Sequence, residues 1–262
     1  MSYTVEQIAE LDQGLHAVVG ELEDLWINLA RDVAPLLKVE RAREYIGNGA
    51  CRRLRTIRRC IDNIFRVCPP RRTKLLSEDE RYDLQINLHA FCINIHGVPD
   101  NLAWAYLLEK GIALKPYRVG LFCVDTQEHL PPEICAYLAS DRITTWHQEY
   151  AKNFRDALAH RIPPYVPPSI WSSGQEQQYR ELDAKIYEAT KNHDFDRVDK
   201  LNEEQDRIGA ICPAFIHSSL DRGACPPVLF HPQVIADART VMEIVSVVRP
   251  HLPWAAKSKS AD

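Results

Sequence analysis

No stretch of this chain approaches the roughly 20 consecutive apolar residues that a membrane-spanning helix requires. The opening residues, Met1-Ser2-Tyr3-Thr4-Val5-Glu6-Gln7, lack the basic and apolar regions of a secretory leader, so a cytoplasmic protein with no membrane partner is expected. Cysteine pairing is missing as well. The eight cysteines, at 51, 60, 68, 92, 123, 135, 212 and 225, form no CxxC pair and no Cys/His grouping of zinc-finger type. Disulfide frameworks belong to short secreted chains and metal ligands cluster, so buried reduced thiols are expected, with no metal and no other cofactor. There is no glycine-rich phosphate loop, no GxSxG elbow and no HExxH, which removes the usual nucleotide hydrolases, serine hydrolases and zincins. No internal repeat is present.

What is there is an ordinary globular composition, 262 residues with 45% hydrophobic and 26% charged, carrying its charge unevenly. Between residues 52 and 74 lie Arg52, Arg53, Arg55, Arg58, Arg59, Arg66, Arg71, Arg72 and Lys74 against the single acid Asp62, a local charge of +8. The chain as a whole carries −4, so everything outside that segment carries −12. Local potential, far more than total charge, governs attraction to a phosphate backbone. The arginines alternate with Leu54, Ile57, Ile61, Ile64 and Phe65 at helical spacing, the pattern of an amphipathic helix with its wet face charged.

Helical periodicity recurs along the chain. It predicts a first helix from Val5 to Leu29, ended near Pro35, and the basic helix from about 38 or 50 to 68, with Gly47-Asn48-Gly49 as a candidate break. A helix over about 78–110 should start at a Ser77/Glu80 capping box and kink at Pro99. Residues 115–142 read as irregular, with at most a short strand at 119–124 and a short helix opened by Pro131-Pro132. A helix over about 140–161 should bury Ile143, Trp146, Tyr150, Phe154 and Leu158, and prolines 163, 164, 167 and 168 make the next segment extended. A charged helical pair follows over 175–207, turned at Asn192-His193-Asp194. Residues 228–248 give a final apolar helix, and 255–262 a loose tail. His16, His89 and His96 read as interior or groove histidines, and His217 and His231 as loop residues. The expectation is an all-α fold forming one helical domain over 1–262.

The helix over 140–161 ends in Asn153-Phe154-Arg155-Asp156-Ala157-Leu158-Ala159-His160-Arg161-Ile162-Pro163-Pro164-Tyr165. It sets a permanently charged phosphate binder and a group that titrates near neutrality in the last turns before a proline stop. An arginine, any four residues and a histidine at a helix end resembles the motif of the HEPN superfamily, many of whose members are metal-independent endoribonucleases. The stretch Asp100-Asn101-Leu102-Ala103-Trp104 also resembles, more loosely, the helix that precedes the motif helix in one branch of HEPN-like proteins. The likeness covers about residues 78–168, an antiparallel bundle to which helices over 1–75 and an extension over 169–254 are added.

That resemblance implies that Arg155 binds the scissile phosphate, that His160 positions or deprotonates the ribose 2′-hydroxyl, and that a 2′,3′-cyclic phosphate results. Asp156, four residues before His160, is placed to orient it. Asp100, Asn101 and Arg161 are the supporting residues, and Arg52, Arg53, Arg55, Arg58 and Arg59 the RNA-binding surface. A five-residue step turns roughly 140° past a full circle, so Arg155 and His160 do not share a helix face. A homodimer can bring them together across a two-fold axis. A toxin or defence role would add an antitoxin or regulatory protein as partner. The competing expectation is a helical interaction module that keeps the motif without cutting.

Overall fold

The computed structural model describes residues 3–219 and 223–252, and among these the chain is an all-α protein with two minimal strand ladders. Helix α1 (Val5–Asn28) starts at a reciprocal cap, in which the Thr4 hydroxyl accepts from the Gln7 amide and the Gln7 side chain accepts from the Thr4 amide. A π turn (Leu29–Val33) and a 3₁₀ turn (Ala34–Leu36) follow. Pro35 sits in the latter, where it cannot supply the amide that a longer helix would need.

Gly47-Asn48-Gly49 does not break the basic helix. It lies in a π turn (Tyr45–Ala50) that joins α2 (Glu40–Glu44) to α3 (Cys51–Val67). A Cβ at Gly49 would stand 2.9 Å from Asn101 Cγ on α4 (Glu78–Glu109), so glycine is what lets the two helices approach. Helix α3 buries Leu54, Ile57, Ile61, Ile64 and Phe65, each worth about 1.5–3 kcal/mol of transfer free energy. Helix α4 opens at the expected Ser77/Glu80 capping box, holds Pro99 in its interior, and buries Leu84, Leu88, Phe91, Ile95 and Leu102.

Residues 115–142 are irregular as expected, and the 119–124 segment, allowed at most a short strand, forms none. The Thr126 hydroxyl is wholly buried, accepting from the Gly120 amide and donating to the Arg118 carbonyl, each at 3.2 Å. This local ring of bonds folds the segment into turns and the single turn α5 (Val124–Gln127). Helix α6 (Pro132–Leu138) opens at Pro131-Pro132 as expected. The motif helix follows as α7 (Asp141–Thr145), a π turn (Trp146–Ala151) and α8 (Lys152–His160). Next come α9 (Ser173–Lys191) and α10 (Phe195–Gln205), turned at His193 in the left-handed region with φ 58°.

Strand is confined to β1 (Ala214–Phe215) against β4 (Val228–Leu229) and β2 (Ser218–Ser219) against β3 (Gly223–Ala224), both antiparallel. The final helix therefore starts later than predicted, as α11 (Phe230–Val248). His231, predicted in a loop, is fully buried on α11, where its Nε2 lies 2.6 Å from the Cys68 carbonyl and its Nδ1 3.2 Å from the Tyr3 hydroxyl. Burial pushes its pKa down to about 4. One hydrophobic cluster unites α1, α3, α4, the motif helix and α11. Helices α9 and α10 stay outside it, sharing a small separate contact around Leu182 and Ala189. Of the cysteines, 51, 60, 68, 92 and 212 are buried, whereas 123, 135 and 225 are partly exposed. The tail expected over 255–262 lies outside the described residues. No helix among the described residues is long and apolar enough to cross a membrane.

Candidate active site

The helix that carries the motif is not a regular α-helix. Its central π turn adds one residue to the register, so the fully buried stripe runs Ile143, Trp146, Ala151, Phe154, Ala157. Tyr150 and Leu158, which a regular period would bury, are only partly covered. The π turn is anchored on α11, where Trp146 Nε1 donates to Asp237 Oδ1 at 2.8 Å. Asp237 also accepts from Gln233, yet burial dominates and pushes its pKa up to about 6.

Arg155 stands beside this stripe with 34% of its side chain exposed and pairs with Asp156 Oδ1 at 2.9 Å. Its Nε is buried without a hydrogen bond. Asp156, expected to orient His160, thus engages Arg155 instead. His160 is exposed at the last position of α8 and has no hydrogen-bond partner among the described residues. Arg161 turns back along the helix, donating to the Asn153 carbonyl and side-chain oxygen at 2.7 Å each. The extended segment beyond the prolines lies along α4: His89 Nε2 meets the Pro164 carbonyl at 2.7 Å, and the Gln85 side chain accepts from the Val166 amide at 3.1 Å. Within one chain Arg155 and His160 make no contact; α-helical geometry sets them about 7.5 Å apart along the axis and roughly 140° apart around it.

A further group of titratable side chains gathers around His147 and Cys123, on both of which the charge of Arg155 acts. Helix α4 supplies His96 and Asp100, with Nδ1 and Oδ2 3.4 Å apart. The π turn supplies His147, whose ring centroid is 5.8 Å from that of His96 and which stacks on Phe122 at 3.8 Å and 8°. Gly120 closes the group from a third element, because a Cβ there would lie 2.9 Å from Asp100 Oδ1 and 3.1 Å from Cys123 Sγ. The charges of Lys152 and Arg155 act on both His147 and Cys123. Burial first, then the cationic surroundings, push the His147 pKa down to about 4, so this imidazole is neutral near pH 7. Burial and then Asp100 push the Cys123 thiol up, which disfavours the thiolate that a nucleophile needs.

The predicted RNA-binding arginines divide. Arg53 turns inward: its Nε donates to Asn101 Oδ1 at 3.0 Å and its Nη1 to Asn94 Oδ1 at 3.2 Å, and the guanidinium lies over Gly97, where a Cβ would come within 2.5 Å of Cζ. It ties α3 to α4 and is withdrawn from any RNA face. Asn101 belongs to this tie, while its neighbour Asp100 belongs to the His96 group on another face of α4. Arg52, Arg55, Arg58 and Arg59 line an open trough of about 760 Å³ together with Glu23, Trp26 and Asn87. Arg55 lies 5.1 Å over the Trp26 ring. Arg58 faces Glu23 at 3.5 Å and Asp62 at 3.8 Å. Farther on, Arg72 is a structural clasp, binding Glu80 through both carboxylate oxygens at 2.8 and 2.7 Å and the carbonyls of Val67, Lys74 and Leu75.

His96 and His147 are the residues that the sequence reading left out of the site. The i,i+4 spacing of His96 and Asp100 was visible; the π turn that aims His147 at them has no local sequence signature. Among the described residues no group of three or more His, Cys, Asp or Glu side chains is arranged to hold a metal ion. No family model matches this chain, and no curated protein or solved structure matches it.

Proposed function

We propose that this chain is a metal-independent endoribonuclease of the HEPN type, active as a homodimer in which Arg155 of one protomer acts with His160 of the other. The observation that carries the reading is the state of the motif itself: an exposed, unpartnered His160 at the end of α8, with Arg155 held in place by Asp156. Arg155 binds the scissile phosphate and stabilises the charge developing on its oxygens. His160 takes the 2′-hydroxyl proton. The trough of Arg52, Arg55, Arg58 and Arg59 holds the RNA backbone nearby by counterion release. Incubation of purified protein with mixed RNAs in EDTA should yield fragments ending in 2′,3′-cyclic phosphate, and His160→Ala should yield none. Intact RNA under both conditions refutes the proposal.

A non-catalytic interaction module is the second reading. It is favoured by the Arg155–Asp156 pair and the Arg53 tie, which give two of the singled-out arginines bonds within their own chain. Binding of RNA without cleavage by wild-type protein would select it.

A further inference from the structure

Phosphodiester transfer to a 2′-oxygen needs two proton-transfer groups, one to accept the 2′-hydroxyl proton and one to protonate the departing 5′-oxygen. The Arg155–His160 pair contains one titratable imidazole. We propose, resting on the ribonuclease reading, that His96 is the second group, a general acid paired with Asp100 on α4 of the chain that supplies Arg155.

The geometry supports this in three ways. His96 Nδ1 faces the Asp100 carboxylate at 3.4 Å, an arrangement that orients the ring and leaves Nε2 as the nitrogen able to donate. That Nε2 has no hydrogen-bond partner among the described residues. His147 lies against His96 with its ring locked on Phe122, and it is neutral near pH 7 because burial holds its pKa to about 4. A neutral His147 places no positive charge against the ring of His96. Gly120 leaves Asp100 its room, since a Cβ there would stand 2.9 Å from Oδ1. The charges of Asp100 on α4 and of Lys152 and Arg155 on α8 act on His147.

In the step that follows, the 2′-oxygen attacks phosphorus and the P–O5′ bond breaks, giving the 2′,3′-cyclic phosphate. The partner protomer's imidazole at position 160 receives the 2′-hydroxyl proton. His96 Nε2 gives its proton to the 5′-oxygen, and exchange with water restores both rings. Arg155 neutralises the non-bridging oxygens throughout.

Dependence on the leaving group tests the role. An RNA dinucleotide leaves as a 5′-alkoxide and needs the acid; uridine 3′-(4-nitrophenyl phosphate) leaves as a stable phenolate and does not. His96→Asn should slow cleavage of the dinucleotide by about 100-fold or more and that of the aryl ester by less than about 3-fold, whereas His160→Ala slows both. Asp100→Asn should repeat the His96→Asn pattern at smaller size. Equal slowing of both substrates by His96→Asn in protein that melts like wild type, or no slowing of either, overturns the acid role and leaves the ribonuclease reading standing. Wild-type protein that cleaves neither substrate overturns both.

Discussion

Helices α3 and α8 are built alike and are used differently. Each is entered through a π turn, each buries one apolar stripe, and each sets arginine beside that stripe. On α3 the cations are many and partly bound up, with Arg53 tied to Asn94 and Asn101 and Arg58 facing Glu23 and Asp62. On α8 they are few, and the one titratable group at the end of the helix is left without a partner. The local charge of +8 over residues 52–74 therefore overstates what that segment can offer a polyanion, while a two-residue motif understates what surrounds α8. Availability decides function, and availability is a property of the fold.

The largest expected effect separates the two helices by activity. Arg155→Ala and His160→Ala should each lower RNA cleavage by about 10²–10⁴-fold while shifting the melting temperature by less than about 2 °C, since a half-exposed and an exposed side chain contribute little to the core. Loss of activity accompanied by a large fall in melting temperature would instead make α8 a structural helix like α3.

Stability should respond most in the basic segment. Arg72→Ala removes the partner of Glu80 and of three carbonyls, and urea unfolding should show a loss of about 2–3 kcal/mol. Glu80, whose pKa the Arg72 guanidinium holds down, loses its main partner in that variant. No change in the urea midpoint would show that the clasp is dispensable.

A smaller effect distinguishes arginines within α3. Reversal of Arg52, Arg55 and Arg59 to Glu should weaken binding of RNA uniformly across sequences and flatten the logarithmic salt slope by about 3, with stability nearly unchanged. Arg53→Glu should do the opposite, destabilising the α3–α4 contact without a specific change in the salt slope. If all four behave alike, the division between trough and tie is wrong.

The last expected effect is the dependence of stability on pH. His147 and His231 have folded-state values near 4 against an ordinary 6.5. Their contribution is present in full above pH 6.5 and is lost as pH falls from 6.5 toward 4, because the unfolded chain binds those protons first. Asp237 runs the other way: raised from 3.8 to about 6, it favours folding below pH 3.8 and loses that contribution as pH rises toward 6. Two histidines against one carboxylate leave a net loss on acidification. Denaturant unfolding at pH 7 and pH 5 should show it, with His147→Phe making the loss shallower and Asp237→Asn making it steeper. A stability that is flat or rises over that interval contradicts the assignment.

Much of the fold was legible because periodic apolar spacing and cap chemistry act locally. The Ser77/Glu80 box, the Pro131-Pro132 helix start and the turn at His193 fall where residue types alone place them. What escaped depends on contacts distant in sequence. Glycines 47 and 49 look like breakers until the close approach of Asn101 is known. The conformation at 119–124, left open between irregular chain and a short strand, is set by a ring of bonds around one buried threonine. The phase shift at Trp146–Ala151 coincides with a bond between Trp146 and Asp237, 91 positions away in the chain. The same shift brings His147 to His96 and so hid half of the candidate site.

Complementation between two inactive variants tests the shared site most directly. Arg155→Ala and His160→Ala proteins, each inactive in EDTA, are unfolded together, refolded as a mixture and assayed on RNA. Random pairing makes about half of the dimers mixed, each with one site built from an intact Arg155 and an intact His160, so about a quarter of wild-type activity should return. No recovery in a mixture shown to contain mixed dimers, under conditions where wild-type protein refolds to full activity, would contradict the shared site and place both groups of each site on one chain.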